Sequence, residues 1–249
     1  MNSQYEQSFT QTIWQFLPGI LKGLSVLAIL SVAFNVFSFS SNQSGDNAKI
    51  DADTKTSFPL QRTYNPVFGK KDASVKLIYF VDYQCPACKA NAPAIKEIKP
   101  NYQDKIEIVY KNFPITQIHP YAKSTAEATQ AASKQDKFFE FTDKIYDLQD
   151  VGLTSSNLEN LAKQQGLDVG KWNNDRNSRE IALQVELDKK DLEKIELPKS
   201  SKGIEKKANS LDNIGTPISV LFKDGQVFDW WTGGISIADL NSRLDGALK

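Results

Sequence analysis

Cysteine occurs twice in 249 residues, and the two copies stand three apart as Cys85-Pro86-Ala87-Cys88. Two cysteines placed at random in a chain of this length would meet at that spacing about one time in a hundred, so the spacing is itself a signal. The surroundings of the pair narrow what the chain can fold into. The run Ser74 to Val81 (SVKLIYFV) is continuous and β-favouring, as a buried strand requires. From Cys85 to Lys99 the pattern is helical, and Pro86 falls in the first turn, where its missing N–H costs nothing. Strand, short turn, Cys-Pro-x-Cys and helix put Cys85 at a helix N-terminus, where unpaired amides and the helix dipole favour a thiolate. Cys88, one turn on, should be the more buried thiol and within reach of a mixed disulfide formed on Cys85.

A metal clip, a structural staple and a redox couple all use paired cysteines. Structural zinc takes four Cys or His ligands, and the only further candidate of that type is His119. A soft copper site draws on thioethers, and the only methionine is Met1. A disulfide across so small a loop stabilises little, and a chain this long buries core enough to fold without one. The balance favours the redox couple, with no metal and no cofactor beyond the cysteine pair. Thirty basic and thirty acidic residues leave no net charge, which argues against a nucleic-acid binder.

The run Leu17 to Phe39 carries a single charge, Lys22. As a helix it would span about 34 Å, enough to cross a hydrocarbon core of about 30 Å. It is expected to anchor the chain in a membrane behind a cytoplasmic leader at 1–16. Lys22 precedes the apolar run and no Lys or Arg follows until Lys49, which places the bulk of the chain on the extracytoplasmic side. Cleavage as a signal peptide near Ser38-Phe39-Ser40, giving a secreted or periplasmic product, is the alternative. Residues 40–62 read as a flexible tether and 63–249 as the folded domain.

Within that domain Lys105 to Phe113 (KIEIVYKNF) alternates as a second strand. A helical block of about 119–211 follows. His119–Gln149 should give one or two helices, Thr154–Gly166 a capped one, and Asn174–Ile195 a further long helix with a solvated charged face. Pro217 to Trp231 reads as a hairpin around Asp224-Gly225, and Ser236 as the N-cap of a closing helix. Asp82 reads as an exposed strand-end residue and His119 as structural or capping. Of the adjacent Trp230 and Trp231, one should face the core and the other lie partly exposed.

Strand-CPAC-helix, then KNFPI with His119-Pro120 opening a helical block, then Gly215-Thr216-Pro217 before a hairpin, resembles the DsbA-like family, closest to its membrane-tethered, BdbD-like members. The resemblance covers about Tyr64 to Leu248. It implies an α/β thioredoxin fold with a helical insertion, and an extracytoplasmic thiol-disulfide oxidoreductase with Cys85 and Cys88 as its redox pair. It further implies that Pro217 is a cis-proline against that pair, and that Thr216 offers backbone hydrogen bonds to an incoming peptide. Pro86 and Ala87 complete the site. Substrates would be cysteine-containing exported proteins, and reoxidation would fall to a membrane partner of the DsbB or VKOR type. Ala87 brings neither charge nor hydrogen bond to Cys85, so a potential below DsbA's is expected. A reductase or isomerase using the same couple, or a peptide-binding or chaperone-like module without turnover, are the alternatives.

Overall fold

The fold is that of a computed structural model, which describes residues 61–195, 197 and 215–249. The leader at 1–16, the apolar segment at 17–39, the tether up to residue 60 and the stretch 198–214 lie outside the described residues. Among those described, no helix is long and apolar enough to cross a membrane.

Five strands, β1 (Val67–Gly69), β2 (Val75–Val81), β3 (Ile106–Asn112), β4 (Ile218–Lys223) and β5 (Gln226–Thr232), form one sheet in the order β1-β3-β2-β4-β5. Only β2 and β3 run parallel, from Val75 opposite Ile106 to Val81 opposite Asn112. Parallel neighbours need a crossover, and α1 (Pro86–Tyr102) supplies it. Between β3 and β4 the chain makes α2 (Ala122–Ser133), α3 (Phe138–Ile145), a 3-10 turn (Tyr146–Asp150), α4 (Ser155–Gln164), α5 (Val169–Arg176) and α6 (Arg179–Glu193). The last helix, α7 (Ile237–Leu248), follows the hairpin.

Local chemistry explains most boundaries. Asp224 and Gly225 both take positive φ, 46° and 84°, the two-residue turn that an Asp-Gly pair favours. Thr154, Ser178 and Ser236 cap α4, α6 and α7 by accepting from the amides of Asn157, Ile181 and Asp239. The cap at Ser178 divides the single helix expected over Asn174–Ile195 into α5 and α6.

Both faces of the sheet are covered. Leu77, Tyr79, Ile108 and Trp231 join a core with α1, α7 and much of the helical block. Ile78, Phe80, Val109 and Trp230 join a second core with Leu192 and Ile195. The two tryptophans do point opposite ways, yet at 3% and 5% exposure neither meets solvent, contrary to the sequence reading.

The alternation of β3 misleads in the same way, since its polar positions are buried too. Glu107 pairs with Lys76, and Lys111 donates to Asn65, Asp188 and Asp191 at 2.9, 3.2 and 2.8 Å. Asp188 and Asp191 lie on the α6 face expected to be solvated, and both are buried. Arg62 completes the cluster with two 2.7 Å hydrogen bonds to Asp191. Residues 61 and 62, assigned to the tether, therefore already belong to the fold.

Candidate active site

The site starts at the end of β2, where four residues turn the chain into α1. Asp82 shapes that turn. Its carboxylate accepts from Gln84 N at 2.8 Å and its carbonyl from Cys85 N at 3.1 Å. Cys85 is the N-cap of α1, extended at φ −71° and ψ 124°, with Pro86 exposed at the first helical position. Ala87 is partly buried against the main core. Cys85 is 8% exposed and Cys88 fully buried, and both are free thiols.

The loop into β4 brings a second element to the sulfurs. The Thr216–Pro217 peptide is cis, and Cys85 Sγ lies 3.4 Å from the Thr216 carbonyl, to which it donates when protonated. The amide of Asp82 points at Cys88 Sγ from 3.5 Å. The Thr216 hydroxyl is buried without a hydrogen-bond partner among the described residues, and it lies where it favours the thiolate of either cysteine. A thiolate would give that orphaned donor an acceptor.

The two thiols are driven apart electrostatically. A hydrogen bond from Cys88, helped by Thr216 and the first amides of α1, lowers Cys85 to about 5 against the opposing effect of burial. Burial pushes Cys88 well above the ordinary thiol range, and the neighbouring Cys85 raises it further. At neutral pH the pair therefore holds a thiolate on Cys85 and a proton on Cys88, the arrangement that readies one sulfur for exchange.

Two residues beside the pair differ from what the sequence suggests. Asp82 is buried, and its second carboxylate oxygen takes the Ile115 amide at 2.9 Å and His119 Nδ1 at 2.8 Å. His119 thus braces the turn that carries Cys85 from the start of the helical block. Gln149, in the 3-10 turn, donates to the carbonyls of Tyr83 and Cys85 at 2.8 and 3.3 Å. No local signal marks it, because its partners lie more than sixty residues away.

A sequence model described as thioredoxin matches residues 61–200, more than half of the chain, and the protein belongs to that family. A Na(+)/H(+) antiporter NhaA 1 from Mycolicibacterium vanbaalenii is 30% identical over 141 residues, 56% of this chain and 23% of the antiporter. The chain thus spans less than a quarter of that relative. The probable disulfide bond formation protein D of Bacillus anthracis is 32% identical over 140 residues, 52% of this chain and 64% of that protein. Among solved structures, alpha-DsbA1 of Wolbachia pipientis superposes with a TM-score of 0.60 at 17% identity, covering 76% of this chain and 94% of that one. The fold is accordingly the thioredoxin fold with the helical insertion of DsbA-like proteins.

Proposed function

We propose that this protein is a thiol-disulfide oxidoreductase that introduces disulfides into exported proteins through Cys85 and Cys88. The observation that carries the reading is the unequal pair: a stabilised thiolate at the α1 N-terminus beside a buried, protonated thiol. In the oxidised state a substrate thiolate attacks Cys85 Sγ, the Cys85–Cys88 bond breaks, and Cys88 leaves and takes up a proton. A second substrate thiolate then attacks the substrate sulfur of the mixed disulfide and expels Cys85. The substrate loses two electrons and the protein gains them, to be passed to a membrane partner of the DsbB or VKOR type. Pro86 is exposed beside Cys85, and the Thr216 backbone before cis-Pro217 is the edge that an extended substrate would hydrogen-bond.

The same observation favours oxidant over reductant or isomerase. Stabilising the Cys85 thiolate stabilises the reduced protein, which makes its disulfide the stronger oxidant. The apolar segment at 17–39 and the name of the Bacillus relative support placement on the extracytoplasmic side of a membrane, anchored or released by cleavage. Replacing Cys88 by Ser tests the reading. The variant should accumulate mixed disulfides through Cys85 with exported proteins, and their absence under oxidising conditions would overturn it. If function survives Cys85→Ser, the protein acts as a peptide-binding module without turnover.

A further inference from the structure

Beside the redox turn, α1, α3 and strands β2 and β3 enclose a pocket of about 320 Å³. That is near the lower end of the range for small-molecule sites, about 300–1,000 Å³. Its inner wall is aromatic, made by the buried rings of Tyr79, Tyr83, Tyr110 and Tyr146. They meet in pairs, Tyr79 with Tyr110 at 5.7 Å and Tyr83 with Tyr146 at 5.8 Å between ring centroids. The rim is exposed and charged, with Lys96, Asp143 and Asp147.

Three lysines line the pocket and they are not equivalent. Lys89 pairs with Asp150 at 2.7 Å, and Lys96 with Asp143 at 2.6 Å. The Lys99 ammonium has neither a hydrogen bond nor an ion pair among the described residues. Its ammonium lies over the rings of Phe139, Phe68 and Tyr110, at 4.4, 5.0 and 5.4 Å from their centroids. Aromatic faces attract a cation but carry no net charge to neutralise it. Lys99 is half-buried, and burial lowers its pKa while Asp143, already engaged by Lys96, pulls the other way. A partly desolvated cation beside an open aromatic pocket is half of an ion pair.

We propose that this pocket binds a small apolar molecule carrying one carboxylate, its body against the four tyrosine rings and its carboxylate on Lys99. One negative charge suffices, because the other two lysines are already matched. The site is separate from the disulfide chemistry, although Lys89 adjoins Cys88 and Tyr83 belongs to the redox turn.

The probe is 3-phenylpropanoate, titrated calorimetrically into the purified full chain, with neutral 3-phenylpropanamide as control. The acid should bind one to one and saturably, and the amide about tenfold or more weaker, as loss of a charge-assisted contact requires. Lys99→Met, which keeps an apolar stem, should weaken the acid to the level of the amide. Ala92→Leu, which fills the pocket from α1, should abolish both. Equal binding of acid and amide to the unmodified chain, undiminished binding to the Lys99→Met variant, or no saturation at millimolar concentration would each overturn the proposal. The acid-against-amide comparison needs no variant to fold.

Discussion

Asp82 and His119 stand 37 residues apart in the chain and meet at 2.8 Å next to the turn that carries Cys85. The same carboxylate holds the amides of Gln84 and Ile115, so one buried group fixes the entry to α1 and the entry to the helical block together. Asp82→Ala would leave these donors without their acceptor, at a cost of about 2–4 kcal/mol. His119→Ala removes one contact and should cost about 1–2 kcal/mol. Urea denaturation measures both, and a neutral Asp82→Ala variant would contradict the bracing role.

The Cys85 thiol should titrate near pH 5 in the reduced protein, against an ordinary value near 9. The folded pKa lies below the unfolded one, so the thiolate's contribution to stability is fully present above about 9 and is lost as pH falls through about 5. The disulfide form has no such group. The melting temperature of the reduced form minus that of the oxidised form should therefore rise from pH 4 to pH 8. A flat difference over that range, or alkylation of Cys85 half-maximal near its ordinary value, would refute the assignment.

Thr216→Val removes a buried hydroxyl that has no partner among the described residues in the dithiol state, so stability below pH 5, where Cys85 is protonated, should change little. The Cys85 thiolate, however, loses a favourable neighbour. Each unit by which its pKa rises corresponds to about 1.4 kcal/mol and about 30 mV in a two-electron couple, toward a more reducing potential. Titration against a glutathione buffer reads the shift, and an unchanged or more oxidising potential would count against the role of the hydroxyl.

For the unmodified protein, a Cys85 pKa of about 5 falls between values of about 7 for thioredoxin and about 3.5 for DsbA. The expected potential lies between theirs, about −270 and about −120 mV. Ala87 agrees with this placement, since it offers the thiolate no charge. A value at or above that of DsbA would show that groups other than these set the couple.

Lys111→Met would strand Asp188 beside Asp191 with Arg62 as the one remaining buried cation of the cluster among the described residues, which should destabilise the domain by about 3–5 kcal/mol. Lys137→Met, at an exposed pair with Glu140, should leave stability nearly unchanged. Similar losses in the two variants would deny the cluster its special weight.

The strands, the crossover helix, the hairpin and the placement of Cys85 at the N-terminus of α1 are legible because each depends on residues close in sequence: a β-favouring run, a proline after Cys85, an Asp-Gly turn. What escaped depends on partners brought in from far away. Glu107, Lys111, Asp188 and Asp191 carry charges that locally imply solvent, and only the pairing of Glu107 with Lys76 of β2, and of Lys111 and Arg62 with the two aspartates of α6, makes their burial affordable. Asp82 was read as exposed for the same reason, its partners being His119 and the Ile115 amide. Trp230 shows a limit of alternation: period two gives the side a residue faces, but not whether that side is covered.

Gln149 and His119 both come from the block between β3 and β4, and both grip the turn that presents Cys85. The sheet order does not depend on that block, because β3 and β4 each pair with β2 and never with each other. A chain trimmed of the insertion would keep its strand order and its cysteines, but it would lose the clamps on their loop and the Asp188 and Asp191 carboxylates that pair with buried Lys111. In this protein modularity stops at architecture, and the reactivity of the sulfurs is a shared property of scaffold and insertion.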